Sequence, residues 1–313
     1  MHKLAFIFPG QGSQSAGMGK ALNAAFPEAR AVFESIDGAL GEKLSALCFE
    51  GPEEELKLTA NTQPAILAVS AAASAVLAAR GVRPDIVAGH SLGEYSALVA
   101  AGALSAADAA RAVRARGTLM QEAVPPGTGA MAAVVGLEPE RIRMVCESVS
   151  AASGKVVAPA NYNDPNQTVI AGDAAAVTLC GQKLKENGAR RVMPLPVSAP
   201  FHCALMEPVK ARLEPVLRAI RWVQPAVPVV TNVEAKANRA VDRIVPLLLA
   251  QVSAPVRWIE SVHELARLGA TRMIEVGPGN VLSGLVKRID KAIEVHHVGD
   301  PESLQKTLKA LGA

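Results

Sequence analysis

Aromatic side chains are scarce in this 313-residue chain, at 3% of its residues. Charged residues are also few, at 19%, against about 25% in a typical soluble domain. Half of the residues are hydrophobic, and 57 are alanine. Such an apolar composition excludes intrinsic disorder, and the abundance of alanine predicts closely packed helices with alanine at their contacts. The length allows one large domain or two ordinary ones.

The chain has no large excess of charge of either sign. Its formal net charge of +3 gives no electrostatic footprint for a nucleic acid. The positive surplus lies in residues 101–313, near Lys183–Arg191, Lys210–Arg221 and Lys287–Lys291. These clusters are either solvated helix faces or a docking surface for an acidic partner.

The sequence shows no export or membrane signal. The first apolar run, Leu4–Phe8, ends at Pro9 and is too short for the core of a signal peptide. The most apolar run, Ala65–Ala79, is shorter than the roughly 20 residues that a spanning helix needs. The four cysteines form no CxxC pair, which predicts reduced thiols in a cytoplasmic protein.

Strands and helices alternate towards both ends of the chain. Strands are predicted at Leu4–Phe8, Asp85–Gly89, Val227–Thr231, Arg272–Val276 and Glu294–Val298, with helical stretches such as Asn61–Arg80 between them. This alternation predicts a parallel sheet that is covered on both faces. We therefore predict a large α/β unit formed by residues 1–126 and 199–313.

The middle of the chain has another order of elements. After a break at Gly127–Gly129, the predicted elements are Ala130–Leu137 (strand), Pro139–Ser150 (helix), Lys155–Ala160 (strand), Gln167–Gly172 (strand), Ala174–Asn187 (helix) and Arg190–Val197 (strand). The order βαββαβ is typical of the ferredoxin-like split βαβ unit. We predict a small unit of residues 127–198 inserted into the large one.

The strongest local motif is Gly89-His90-Ser91-Leu92-Gly93, which matches G-x-S-x-G. It follows a predicted strand and precedes a predicted helix, the context of a nucleophile elbow in an α/β-hydrolase-like fold. The glycines permit a sharp turn that exposes Ser91, and the helix behind directs its positive end at the site. Ser91 is therefore the candidate nucleophile; the alternative is a tight turn with an inert serine.

A serine hydroxyl needs a base to take its proton. Of the six histidines, His202 lies in a proline-constrained loop between the small unit and a helix, whereas His90 adjoins the nucleophile and is better explained as a packing residue. The third member of a triad is harder to find. Between Ser91 and His202 only Asp164 lies in an obvious strand-end loop, so the group that orients the base is either a backbone carbonyl or an amide.

Eight short motifs, taken together, resemble the malonyl-CoA:acyl-carrier-protein transacylases from about residue 4 to residue 290. They are Pro9-Gly10-Gln11-Gly12-Ser13-Gln14, Asn61-Thr62-Gln63-Pro64, Gly89–Glu94, Arg114-Ala115-Arg116-Gly117, Asn161…Gln167, Ser198–His202, Gln251…Pro255-Val256-Arg257-Trp258 and Glu275-Val276-Gly277-Pro278-Gly279. Each motif alone is weak, but their order along the chain is specific.

The resemblance implies a role for each candidate residue. Ser91 would carry malonate as an ester, with His202 as its general base and acid. The backbone N–H groups of Gln11 and Leu92 would form the oxyanion hole. Gln251 resembles the residue whose main-chain carbonyl orients the histidine, which would explain the missing acid.

The resemblance also implies the substrate. Arg116 would bind the malonyl carboxylate in its planar fork, while Gln63, Asn161 and Phe201 would line the pocket. Bulk at Phe201 and Leu92 would leave little room for a methylmalonyl branch, although a hydrophobic pocket discriminates by only about 1–3 kcal/mol per methyl-sized change.

The implied reaction is a ping-pong transfer of malonate from malonyl-CoA to the phosphopantetheine thiol of acyl carrier protein. It exchanges one thioester for another and needs no metal or cofactor. The implied partners are these two substrates, with no nucleic acid and no membrane, and a monomer fits the lack of an association motif. The pathway served, fatty-acid or polyketide synthesis, stays open.

Two other functions also stay open. A serine thioesterase or esterase of the α/β-hydrolase type shares the elbow, but it normally has an acid before the histidine and no arginine for a carboxylate. A non-catalytic module that docks the carrier protein would have a broken active site, whereas Ser91, His202, Arg116 and Gln11 are all present.

Overall fold

A computed structural model describes residues 3–125, 127–197 and 199–312 of the chain. Its helices and strands follow in chain order: β1 (Lys3–Phe8), α1 (Lys20–Ala25), α2 (Pro27–Leu40), α3 (Leu44–Glu50), α4 (Glu53–Leu56), α5 (Thr59–Ala79), β2 (Ile86–Gly89), α6 (Gly93–Ala100), α7 (Ala106–Glu122), β3 (Gly129–Val135), α8 (Pro139–Ser153), β4 (Val157–Asp164), β5 (Gln167–Asp173), α9 (Ala174–Glu186), β6 (Arg191–Pro194), α10 (Glu207–Arg218), β7 (Val229–Val230), β8 (Ala237–Asn238), α11 (Ile244–Gln251), α12 (Trp258–Arg267), β9 (Ala270–Val276), α13 (Val281–Ile289), β10 (Glu294–Val298) and α14 (Pro301–Leu311). The predicted unit boundaries fall at Pro126 and Ser198, which lie outside the described residues, as do Met1, His2 and Ala313.

The larger sheet has the strand order β10-β9-β1-β2-β7-β8. All neighbouring strands are parallel except β7 and β8. Phe6, Ile7 and Phe8 of the central strand β1 are fully buried, because a parallel strand with helices on both faces has no side open to water. The carboxyl ends of β1 and β2 lie side by side, since Phe8 pairs with Gly89. The loops that leave these two strands therefore share one edge of the sheet.

Helix α5 is a core helix whose buried residues include many alanines. It is 21 residues long, and by length and hydropathy it could cross a membrane, but 78% of its most apolar window is buried inside the structure. Alanine supplies most of the close approach to its neighbours, including Ala68, Ala72 and Ala73, all fully buried. The helix is a core element, and it brings its first turn, with Gln63, beneath the site described below.

The smaller sheet has the order β4-β5-β3-β6, and its neighbouring strands are antiparallel. Helices α8 and α9 cover one face, where Val134, Ile142 and Leu184 form a separate hydrophobic core. On the other face, Met131 and Val169 belong to the main core of the protein. This second face holds the small sheet against the large unit, over the end of β2.

Most predicted elements are present, but several predicted boundaries are shifted, and three of these shifts are described here. The strand expected at Val227–Thr231 contains only Val229 and Val230, since Pro228 has no N–H to donate to a ladder. The last strand of the small sheet ends at Pro194 instead of Val197. Strand β4 extends to Asp164, so this carboxylate closes a β-hairpin and does not lie in a free loop.

All four cysteines are free and buried. Cys146 and Cys180 face each other in the core of the small unit with their Sγ atoms 3.6 Å apart. The Cys203 thiol donates a hydrogen bond to the carbonyl oxygen of Pro200. This contact fits the expectation that Cys203 is a structural thiol, although it follows His202 directly.

The packing of α5 predicts that one added side chain will destabilise the protein. In Ala72→Leu the larger side chain has no space in the core, and we expect a loss of about 1–3 kcal/mol in the free energy of unfolding. Ala79→Leu is the matched control, because Ala79 is exposed at the end of the same helix. Urea denaturation of both variants measures the difference. Equal stabilities would contradict the close packing.

Candidate active site

Ser91 lies at a sharp turn between β2 and α6. Its φ angle is 54°, in the left-handed region that a residue with a Cβ rarely adopts. The flanking glycines make this turn possible: a Cβ at Gly89 would lie 1.9 Å from the carbonyl carbon of Gly93, and one at Gly93 would lie 2.2 Å from the oxygen of Phe8. Only glycine fits at either position, so the chain has the strained elbow that the motif predicts.

A second residue, Asn232, holds the turn in place. Its Oδ1 accepts a hydrogen bond from the N–H of Ser91 at 2.7 Å, and its Nδ2 donates to the oxygen of Gly89 at 2.6 Å. Asn232 is fully buried just after strand β7. Its role was not evident from the sequence, although an asparagine two residues after a buried parallel strand was a usable signal.

His202 is the residue that contacts the nucleophile. Its Nε2 lies 2.7 Å from the Ser91 Oγ. Its Nδ1 faces two carbonyl oxygens, those of Gln251 at 2.9 Å and Ala254 at 3.1 Å. Because a carbonyl can only accept, Nδ1 carries the proton, and the free Nε2 accepts from the Ser91 hydroxyl. The arrangement is a serine–histidine dyad oriented by main chain.

No carboxylate occupies the place of a third triad member among the described residues. Asp164, the one acid that the sequence offered, is fully buried and accepts a hydrogen bond from Arg288 at 2.6 Å instead. This pair joins the end of β4 to α13. Asp164 therefore ties the small sheet to the large unit and does not touch His202.

Burial, and after it the positive charge of Arg116, lower the pKa of His202 to about 3. The side chain is only 3% exposed, so the charged imidazolium loses most of its hydration. The imidazole is thus neutral throughout the physiological pH range. Its Nε2 can accept a proton, and the imidazolium that results is more stable when an anion lies nearby.

Two backbone N–H groups at the elbow are available for a ligand. The N–H groups of Leu92 and Gln11 donate to no other group in the described part of the structure. The Gln11 loop lies against the elbow, since a Cβ at Gly10 would meet the oxygen of His90 at 2.6 Å. Glycine at this position therefore allows the close approach of the two loops that an oxyanion hole requires.

Arg116 reaches the same point from α7. It is 1% exposed, and its guanidinium donates to Gln63 Oε1 at 2.7 Å, to Gln251 Oε1 at 2.9 Å and to Ser91 Oγ at 3.2 Å. Its buried Nε has no partner. All of these acceptors are neutral, so a buried cation beside the nucleophile lacks a directly bound anion, an arrangement that favours an anionic ligand.

Glu94 lies in the first turn of α6, and the sequence analysis gave it no role. Its Oε2 accepts hydrogen bonds from the N–H of Asn232 and from Nε2 of Gln251, both at 2.9 Å. Burial raises its pKa to about 7, although these hydrogen bonds and the charge of Arg116 act in the opposite direction. A glutamate directly after G-x-S-x-G, on the inner side of a buried helix, was the available signal.

These groups surround one cavity of about 350 Å³. Every candidate site residue contributes to its lining except Gln251, which is fully buried behind it. Asn161 and Phe201 form part of the wall, and Met120 and Met131 add apolar surface. Among the described residues, no group of three or more His, Cys, Asp or Glu side chains is placed to hold a metal ion.

The side chain of His90 contacts the small sheet. Its Nε2 lies 2.9 Å from Oδ1 of Asn163, and its ring packs near Trp258 with the centroids 5.6 Å apart. The predicted packing role therefore includes a polar contact between the elbow and β4.

The fold and the site together define a serine-dependent acyl-group enzyme. The acyl transferase domain model matches residues 5–300. A malonyl CoA-acyl carrier protein transacylase of Bacillus subtilis is 48% identical over 311 residues, which cover 99% of this chain and 98% of that protein. The chain belongs to the malonyl-CoA:acyl-carrier-protein transacylase family of acyl transferases.

Solved structures agree with this assignment. An acyl carrier protein S-malonyltransferase from Vibrio cholerae superposes with a TM-score of 0.94 at 45% identity, over 97% of this chain and 99% of that one. A malonyl-transacylase in complex with a type II polyketide-synthase acyl-carrier protein gives 0.95 at 46% identity, over 98% and 99%. The α/β fold with a parallel-containing sheet and a separate antiparallel sheet is shared with these proteins.

The depressed pKa of His202 predicts an unusually low acid limit for the free enzyme. Because a lowered pKa keeps the base neutral down to lower pH, reaction of Ser91 with an uncharged phosphonate should fall only as the pH approaches about 3. Arg116→Met removes a positive charge near the imidazole and should shift this limit to higher pH. Inactivation rates measured from about pH 3 upwards give both limits. A wild-type limit near the ordinary histidine value of about 6.5 would contradict the prediction.

Proposed function

We propose that this protein transfers the malonyl group from malonyl-CoA to the phosphopantetheine thiol of an acyl carrier protein. The observation that carries the proposal is the buried guanidinium of Arg116, 3.2 Å from the Ser91 Oγ. An acyl group with a second carboxylate gives this cation the anion that its neutral partners do not. Relatives from Bacillus subtilis and Escherichia coli that are named malonyl CoA-acyl carrier protein transacylase support the same substrate.

In the first half-reaction the Ser91 oxygen attacks the thioester carbonyl, and His202 takes the hydroxyl proton at Nε2. The tetrahedral oxyanion is stabilised by the N–H groups of Leu92 and Gln11. When the carbon–sulfur bond breaks, the imidazolium gives its proton to the departing coenzyme A thiolate. The products are coenzyme A and a malonyl ester on Ser91.

The second half-reaction runs the same steps in reverse with another thiol. The pantetheine thiol of the carrier protein loses its proton to His202, and its sulfur attacks the ester carbonyl. Collapse of the intermediate returns the proton to Ser91 and releases the malonyl thioester. Since one thioester replaces another, the residues need no metal or cofactor, and water is the competitor that the cavity must limit.

The carboxylate of the malonyl group also changes the pKa of His202. In the empty site the charge of Arg116 lowers the pKa of His202. A malonyl carboxylate bound to Arg116 offsets that charge, so the imidazolium formed during the reaction is less costly. Phe201 and Leu92 narrow the cavity, which favours malonyl over methylmalonyl groups.

The architecture and setting complete the proposal. Residues 1–126 and 199–313 would form an α/β-hydrolase-like domain, and residues 127–198 a ferredoxin-like one, which the strand order β4-β5-β3-β6 supports. We propose a cytoplasmic monomer without a cofactor. The malonyl-transacylase solved with a polyketide carrier protein makes polyketide synthesis a second candidate pathway beside fatty-acid synthesis.

The acyl-enzyme itself tests the function. Incubation with malonyl-CoA should add one malonyl group to the intact protein by mass spectrometry, and Ser91→Ala should abolish the adduct. Arg116→Ala should reduce kcat/KM for malonyl-CoA by at least about 100-fold, because a buried ion pair loses one partner. It should affect acetyl-CoA much less, because acetate has no second carboxylate.

Two outcomes would contradict the proposal. Equal losses with malonyl-CoA and acetyl-CoA would make Arg116 a structural residue. Release of free malonate faster than transfer to a pantetheine thiol would favour the thioesterase alternative.

The exposed basic residues near β6 predict where the carrier protein docks. Lys185, Arg190 and Arg191 are exposed and form no salt bridge with the described residues, and β6 leads directly into Leu195 of the cavity wall. We expect Arg190→Glu/Arg191→Glu to slow transfer to the acidic carrier protein but not to free pantetheine. Lys309→Glu, on the exposed face of α14, is the control. The predicted patch Lys287–Lys291 can be tested in the same way. Equal slowing with both acceptors would show that β6 is needed for the site and not for docking.

A further inference from the structure

Glu94 is a buried carboxyl group that the reaction described above does not use. It is 2% exposed and lies three residues after Ser91, on the side of the elbow away from the cavity. It is not among the described residues that line the cavity around Ser91. Glu94 therefore cannot touch the reacting atoms, and any effect on the reaction has to pass through its hydrogen-bond partners.

The direct partner that matters is the side-chain amide of Gln251. Glu94 Oε2 accepts from Gln251 Nε2 at 2.9 Å, and the same nitrogen donates to the main-chain oxygen of Ser91 at 3.0 Å. An ionised carboxylate has no hydrogen to donate, so only the NH₂ end of the amide can face it. The Oε1 end must then point the other way, where it accepts from Arg116 Nη2 at 2.9 Å.

The opposite orientation of the amide would be unfavourable at both ends. A flipped Gln251 would present NH₂ to the guanidinium, a donor against a donor, and oxygen to the carboxylate, an acceptor against an acceptor. Both contacts are buried, so neither could be replaced by water without loss. Glu94, together with the main-chain oxygen of Ser91, thus fixes the amide, and the amide fixes one edge of the Arg116 fork.

The same residue also connects the substrate arginine to the catalytic base. The backbone carbonyl of Gln251 accepts from His202 Nδ1 at 2.9 Å, while its side chain contacts Arg116. A loss of order at Gln251 would affect His202 for every acyl group. It would affect Arg116 only for an acyl group that carries a carboxylate.

We infer that Glu94 is a positioning residue for substrate selection: through the Gln251 amide it aims the Arg116 guanidinium at the second carboxylate of the acyl group. The inference rests on the proposed function. It assigns malonyl-over-acetyl preference in part to a carboxyl group that the substrate never contacts.

Two substitutions separate positioning from charge. In Glu94→Leu, the Asn232 N–H loses its acceptor, and the Gln251 amide loses its charged acceptor and keeps only the main-chain oxygen of Ser91 near its NH₂ end, so its orientation is held less firmly. In Glu94→Gln, the Asn232 N–H selects the oxygen end of the new amide, and that oxygen can also accept from Gln251. Glu94→Gln therefore removes the negative charge but keeps the orientation.

The measurement is kcat/KM for malonyl-CoA and acetyl-CoA at pH 8, with pantetheine as acceptor. We expect Glu94→Leu to lower the malonyl-to-acetyl ratio roughly 10- to 100-fold, the size of a lost charge-assisted hydrogen bond. Glu94→Gln should keep the ratio within about threefold of the wild type. Glu275→Leu is the control, because Glu275 is fully buried but binds Leu282 and Ser283 at the start of α13. It should lower the melting temperature and leave the ratio unchanged.

The outcomes are distinct. A wild-type ratio in Glu94→Leu overturns the inference while the proposed function stands, and a ratio that falls equally in Glu94→Gln overturns it in favour of a charge effect. If the wild-type protein transfers no malonyl group, the proposed function fails instead. Should Glu94→Leu not fold, Glu94→Asp withdraws the carboxylate from Gln251 by one methylene and must lower the same ratio.

Discussion

Arg116 places a positive charge beside the nucleophile, in a position with almost no access to water, and the surrounding groups are arranged to hold that charge without cancelling it. Gln63, Gln251 and Ser91 accept its hydrogen bonds, but none of them is an anion. A salt bridge to a carboxylate would be more stable in the empty protein and would leave no demand for a charged ligand. Neutral acceptors orient the guanidinium but leave its positive charge unbalanced, which favours the binding of an anion.

The positive charge of Arg116 also explains why main-chain carbonyls, and not a carboxylate, orient His202. A carboxylate on His202 would raise the pKa of the imidazole and would also attract Arg116. Two main-chain carbonyls orient the ring by hydrogen bonding and bring no net charge. The pKa of His202 therefore stays low, and an anion bound to Arg116 would raise it. Glu94 is a buried carboxyl group separated from Arg116 by one amide side chain.

Much of the site could be predicted from short sequence patterns, because glycine permits backbone turns that other residues cannot adopt and so determines where the residue between two glycines lies. Gly89 and Gly93 fit only a sharp turn, so the position of Ser91 follows from the motif alone. The apolar runs of β1 and β2 likewise predict adjacent parallel strands. Asn232 and Glu94 were not recognised, because each acts through contacts with residues distant in sequence. The sequence pattern placed Asp164 in a strand-end loop. In the structure it forms an ion pair with Arg288, which lies 124 positions away in the sequence.

The sequence by itself determined the alternating α/β architecture, the inserted βαββαβ segment and the sharp turn that carries Ser91, because these depend on hydrophobic periodicity and on local backbone geometry. Only the tertiary structure decided which group orients His202, what surrounds Arg116 and how Gln251 joins the two. Those relations are set by three-dimensional packing of β2, α7, α11 and the loop before α10. The physical reason is that burial changes the energy of a charge and of an unpaired amide by more than any local preference can.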